Sequence, residues 1–212
     1  MGNVRYPKNS GKGKKHERGM RYPKEHKEQA RQRLVERSGR LAKERGFAAS
    51  GIDALAAASG VTSGSLYKHF SGKSDLFAAI LGAELRRSAE RFAAVAAGDV
   101  KSLEKTLSSY LSVQHVDHPD LGCALPSLTA EVARADESVR AAFQEGLLDI
   151  HEVLKQLVRS GDKAWALIAQ SVGAVMLARA MLDDDIRGDM LLAVKKNGRA
   201  LLEQAPSGGN RR

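Results

Sequence analysis

The sequence predicts an all-α fold, on three observations. From Pro23 onward apolar residues recur at three- and four-residue spacing, the period that gathers them on one face of a helix. No stretch sustains the alternation of a half-buried strand. The apolar runs are punctuated at Gly98-Asp99, His118-Pro119-Asp120, Arg134-Ala135-Asp136, Ser160-Gly161-Asp162 and Asp183-Asp184-Asp185, and several of these breaks place an aspartate where it can cap the next helix.

Residues 1–23 stand apart from this pattern. Arg5-Tyr6-Pro7-Lys8 recurs as Arg21-Tyr22-Pro23-Lys24 across a spacer of Gly, Lys and Ser without apolar periodicity, the composition of a disordered basic tail. Such a tail reads either as an arm along phosphates or in a minor groove, or as a dispensable extension with Met20 an alternative start. A lysine-rich start with no apolar run behind it is not a signal peptide, so a cytoplasmic location is expected. Residues 1–49 hold fifteen basic and five acidic groups, and residues 50–212 hold nineteen and twenty, so the net charge of +9 resides at the N-terminal end. A basic end on a near-neutral body suits a protein held to polyphosphate by one domain, because Lys and Arg gain affinity by releasing counterions; a merely solvated tail gives the same balance.

Ala30, Leu34, Leu41 and Ala42 give the first long helix a buried stripe, closed by Gly46-Phe47. The next stretch, Ser50 to Lys73, reads as two short helices around a tight turn. Ser50 is placed to cap the first, whose Ile52, Leu55 and Ala56 share a face. Gly60 falls where the chain must reverse through a left-handed residue, with Val61 as the apolar plug between the helices. Thr62 or Ser63 caps the second helix. Leu66 and Phe70, four apart, turn inward, leaving Ser63, Gly64, Ser65, Tyr67, Lys68 and His69 toward solvent or DNA. Turn, core spacing and face chemistry together describe a helix-turn-helix.

The run LAAASGVTSGSLYKHFSGKSDLF, residues 55–77, resembles the signature of the TetR family of transcriptional regulators. The resemblance covers residues 25–76 and implies a three-helix DNA-binding domain. It implies that Thr62, Ser63, Gly64 and Ser65 lie at the groove, that Tyr67, Lys68 and His69 touch bases or backbone, and that Lys73 grips a phosphate. Ile52 departs from the family pattern, which often has a phosphate-contacting Thr or Ser there. Beyond the motif the likeness is one of helical layout. It implies a C-terminal domain that dimerises through its last two long helices and holds a pocket for a small-molecule inducer.

The rest of the chain follows helical periodicity in Leu76/Phe77/Ile80/Leu81/Leu85, Val100/Leu103/Leu107/Tyr110/Leu111, Leu121/Leu125/Leu128/Val132 and Val139/Phe143/Leu147/Ile150/Leu154/Leu157. Trp165 to Met181 is nearly all apolar yet too short and interrupted for a membrane span, which needs about 20 apolar residues. A helix apolar on most sides must be buried on most sides. With the following helix, faced by Met190, Leu191, Val194, Leu201 and Leu202, it fits half of a four-helix dimer interface or the core of a monomer.

No phosphate loop, paired-histidine zinc motif or nucleophile elbow occurs, so neither an enzyme nor a cofactor or metal site is expected. The single cysteine, Cys123, precedes a predicted helix with His115 and His118 just upstream. A helix N-terminus lowers a thiol pKa, which suits a reactive sensor of electrophiles or oxidants, and a small buried packing residue fits the same place.

The sequence thus divides into a basic tail (1–23), a DNA-binding domain (24–73), a helical effector-binding and dimerisation domain (74–204) and a flexible tail (205–212). The expected partners are a palindromic operator duplex, a second copy of the chain and an unidentified small effector, with no membrane. The ligand or sensing candidates are Tyr110, His115, Cys123 and Trp165. The expected activity is regulation, most simply repression relieved by an apolar or amphipathic inducer; the alternative is a thiol sensor acting through Cys123.

Overall fold

In the computed structural model, which describes residues 24–95 and 99–203, ten helices follow one another with no strand among the described residues. The expected tails at 1–23 and 205–212, and the break at Gly98, lie outside the described residues. The first helix, α1 (Lys24–Arg45), buries Leu34, Val35 and Ala42 and stops at Gly46, whose φ of +85° is the left-handed conformation that glycine adopts without strain. Two short helices follow, α2 (Ile52–Ala58) and α3 (Ser63–Leu66), joined through Gly60 at φ +73°. A long helix, α4 (Lys73–Ala93), then carries Leu76, Phe77, Ile80, Leu81 and Leu85 into the core.

The body contains α5 (Val100–Tyr110), α6 (Val113–Asp117), α7 (Ala124–Val132), α8 (Glu137–Val158), α9 (Gly161–Ala180) and α10 (Asp184–Glu203). The aspartate breaks act as anticipated at three of these starts: Asp99 accepts from Ser102 N at 3.0 Å, Asp136 from Val139 N at 3.2 Å and Asp183 from Ile186 N at 3.0 Å. At α9 the cap is Ser160, accepting from Lys163 N at 3.3 Å, in place of an aspartate. The most extensive helix pairing is α4 on α8. It is close because Gly146 leaves room: a Cβ there would stand 2.6 Å from Leu85 Cβ.

One local expectation is corrected. Ser50 does not cap α2; its hydroxyl donates to the Gly46 carbonyl at 2.7 Å, satisfying the end of α1, and Gly51 precedes α2 without a side-chain cap. The second helix of the motif is regular only to Leu66, beyond which Lys68 N and His69 N bond three residues back, to Ser65 O and Leu66 O. Before Cys123, Ser112 caps the short helix α6 through His115 N.

In the single chain α9 is buried on one side only. Ala164, Leu167, Ser171, Ala174, Val175 and Ala178 face inward, while Trp165, Met176 and Leu177 are exposed, continuing into a fully exposed Leu182 and into Ile186 and Leu192 of α10. Among the described residues no helix is long and apolar enough to cross a membrane.

Candidate nucleic-acid interface and effector cavity

The helix-turn-helix is held as a unit by packing and by one pair of hydroxyls. Leu55, Leu66 and Phe70 are buried together, and Val61 packs against them from the turn. Ser38 of α1 donates to Leu55 O at 3.2 Å and lies 3.1 Å from Ser59 Oγ, tying α1 to the end of α2. Arg31 stands over the Phe70 ring at 4.9 Å, fixing the far side of α3.

This frame presents α3 outward. Thr62 is the N-cap, its hydroxyl accepting from Ser65 N at 3.2 Å. Tyr67 is 53 % exposed, and Thr62, Gly64 and Lys68 are exposed beside it. Ser63 and Ser65 are half-buried, and the Ser63 hydroxyl donates to the Asp53 carboxylate of α2. His69 is half-buried, with Nδ1 enclosed and unpartnered. Burial first, then the charges of Lys27 and Arg31, hold its pKa below the usual value, so it sits neutral at an electropositive edge. Lys73 is engaged within the chain: its ammonium donates to Ala48 O at 3.1 Å and lies 5.1 Å from the Phe47 ring centroid. Ile52, where the family pattern has a hydroxyl, is half-buried against the core.

A cavity of about 520 Å³ opens between α4, α5 and the α6–α7 turn. Tyr110, His115 and Cys123 line it; Trp165 does not, being stacked on His151 at 4.1 Å on the α8–α9 side. Sequence reasoning missed Ser88, Arg91 and Phe92 of α4 and Lys105 of α5, which form the opposite wall. Arg91 and Lys105 carried no motif; only position in the fold selects them.

His115 is the brace of this wall. Its Nε2 accepts from Cys123 N at 3.0 Å, which fixes the proton on Nδ1, donated to Tyr110 O at 2.6 Å. Burial first, with Arg179, Arg91 and Lys43 adding to it, lowers its pKa, consistent with this neutral tautomer. Both ring nitrogens are therefore used, leaving no lone pair for a metal. Among the described residues no group of three His, Cys, Asp or Glu converges as a metal site. Cys123 is the N-cap of α7 and only 2 % exposed, its sulfur accepting from Leu125 N and 3.5 Å from Ser88 Oγ. Tyr110 carries a buried hydroxyl whose one polar neighbour is the Cys123 thiol, and burial followed by that neighbour pushes its pKa well above the usual value.

Two polar links join cavity and helix-turn-helix. Lys43 of α1, fully enclosed, donates to Glu84 of α4 at 2.8 Å and to the carbonyl of Gly122, next to Cys123, also at 2.8 Å. Glu131 of α7 accepts from Phe47 N at 3.0 Å and Ala48 N at 2.6 Å, in the loop between α1 and α2. Ala48 is the same residue whose carbonyl holds Lys73.

Residues 34–80 match the family model described as bacterial regulatory proteins, tetR family. Solved structures agree over most of the chain. The crystal structure of NemR from Escherichia coli in its reduced form has a TM-score of 0.67 at 22% identity, covering 79% of this chain and 96% of that one. A TetR transcriptional regulator from Chloroflexus aurantiacus gives 0.69 at 23%, covering 85% and 97%. FadR from Bacillus subtilis, solved with stearoyl-CoA, gives 0.61 at 17%, covering 82% and 98%. A search of curated protein sequences finds no match. The chain carries the N-terminal module of the tetR-family bacterial regulatory proteins on a TetR-like, all-helical fold.

Proposed function

We propose that the chain is a homodimeric, sequence-specific DNA-binding regulator, a repressor that leaves its operator when a small effector enters the cavity beside Tyr110. The observation that carries this reading is the geometry of α3, a capped helix whose apolar side is locked into the core and whose Tyr67, Lys68 and Gly64 stand exposed. A helix so presented enters a major groove with its first residues at the base edges. In this reading residues 24–73 are the reading head and residues 74–204 the effector-binding and dimerisation body. The chain acts in the cytoplasm and catalyses no reaction.

Lys43 and Glu131 give the effector a mechanical route to the head. A molecule that displaces the Gly122-Cys123 wall pulls on both links, and so shifts the population between DNA-competent and DNA-incompetent arrangements. The alternative, a thiol sensor at Cys123, has the support of its place on the cavity wall. Its burial speaks against it, because a reactive thiol needs access.

The test is DNA titration across salt concentrations with the Tyr67→Ala and Lys73→Ala variants. Tyr67→Ala weakens binding with the fold intact. In the complex Lys73 exchanges the Ala48 carbonyl for a phosphate, so its loss lowers the slope of log affinity against log salt by about one unit. An unchanged slope in a folded variant removes Lys73 from the DNA contacts.

A further inference from the structure

The charge around the cavity specifies a class of ligand, an inference that rests on reading this cavity as the effector site. Arg91 on α4 and Lys105 on α5 both line it, and no aspartate or glutamate does. Among the described residues neither cation takes part in an ion pair; Arg91 makes one hydrogen bond, to Ser88 Oγ at 3.3 Å. Behind the wall Arg179 also lacks a carboxylate, its guanidinium donating to Val116 O, His115 O and Ser127 Oγ at 2.9–3.1 Å. Two cations thus line the cavity, with a third behind its wall, and no carboxylate lines it among the described residues.

Two further features say how a ligand would lie. The Tyr110 hydroxyl is enclosed at this wall with only the Cys123 thiol, a weak partner, beside it, so a ligand oxygen offers it a stronger acceptor. Behind Tyr110 the lining turns apolar, a narrow recess of about 20 Å³ bounded by Phe92, Leu107, Leu125, Ile168 and Val172 that side-chain movement must widen to admit a tail. Polar cations outside and apolar carbon within match an amphipathic molecule entering tail first. The volume suits a small ligand.

We infer that the cavity binds a small organic anion, a single carboxylate or phosphate head on an apolar body, with Arg91 and Lys105 at the head and the apolar recess around the tail. A cationic ligand of the same shape meets unopposed positive charge. A neutral one forgoes the attraction and competes on apolar contact alone.

Calorimetric titration of the full chain with four probes of one chain length, octanoate, octyl phosphate, 1-octanol and octylamine, decides the matter. At least one of the two anions binds ten or more times tighter than octanol, and octylamine is weakest; which anion is preferred distinguishes a carboxylate from a phosphate head. Arg91 and Lys105 are both exposed, so the Arg91→Gln, Lys105→Gln double variant keeps the fold. It brings the anions to the level of octanol and leaves octanol unchanged. Binding of octanol or octylamine as tight as either anion, no binding of either anion, or an anion preference that survives the double substitution overturns the inference.

DNA release is read separately. Preferential anion binding that leaves DNA affinity unchanged upholds the anion site and removes the effector role from the cavity. Intact DNA binding without anion binding removes the anion site and leaves the regulator.

Discussion

At Lys43 one enclosed ammonium joins three parts of the chain, the first helix, α4 through Glu84, and the cavity wall through Gly122 O. Removing one member of such a pair leaves the other charge buried, and that loss outweighs what the intact pair contributes. Arg87 still reaches Glu84 at 3.1 Å, so Lys43→Ala is expected to cost about 3 kcal/mol, the low end for breaking a buried pair. Lys43→Met with Glu84→Leu restores most of it; equal instability of single and double variants in denaturant titrations contradicts this account of the pair. His115 supplies a second test. Its folded pKa lies below the ordinary 6.5, so the neutral form favours folding. Its contribution is full above that value and is lost as pH falls below it toward the folded pKa, when a second proton would break the bond from Cys123 N. His69, depressed the same way, adds to the slope. Melting temperatures measured from about pH 7.5 down to 5.5 fall for the native chain, and fall less in His115→Gln. Identical profiles for the two proteins remove His115 from the linkage.

Elements were legible in the sequence where their cause is local. Leu66 and Phe70 are buried because four-residue spacing puts them on one face, Gly60 is left-handed because the turn requires it, and Asp99 and Asp136 cap because their side chains reach only three residues ahead. Ser50 failed the same reasoning because α2 starts one residue later than expected, with Gly51 at its N-cap, and the Ser50 hydroxyl instead donates to Gly46 O. The candidate site was half legible. Tyr110, His115 and Cys123 lie within one short segment and could be grouped by eye, whereas Arg91 and Lys105 join them only through the fold. The links to the head were illegible for the same reason, spanning 79 residues from Lys43 to Gly122 and 83 from Ala48 to Glu131. Trp165 was drawn in by its aromatic chemistry, but α9 turns it toward His151 and away from the cavity. Glu131→Ala removes a carboxylate from two backbone donors, so stability falls by about 2 kcal/mol, as for hydrogen bonds to a charged group. DNA affinity in the variant loses its response to a cavity ligand such as octanoate more than it loses strength. A variant that still releases DNA as readily as the native chain contradicts the route through α7.

For the whole molecule the decisive feature is what one chain leaves uncovered. Trp165, Met176 and Leu177 of α9, Leu182, and Ile186 and Leu192 of α10 form an apolar expanse on the last two helices. Gly173 of α9 is half-buried, yet a Cβ placed there would meet no side chain and no other element of the chain within 4 Å among the described residues. Exposed apolar surface of this kind suits an association face, and in the proposed dimer a twofold pairing of α9 and α10 would cover it with a copy of itself. Pairing has a functional counterpart, because two copies of α3 set about 34–36 Å apart address successive major grooves on one face of a duplex. A single head grips only half a site, so dimer and DNA recognition stand or fall together. The measurement that tests this most directly is selection of bound duplexes from a random-sequence library by the full chain. The account predicts enrichment of a palindrome whose half-sites are centred about one helical turn apart, or a multiple of it, bound by two chains per site or a multiple of two. Failure to enrich any sequence, or enrichment of an asymmetric site bound by one chain, contradicts it.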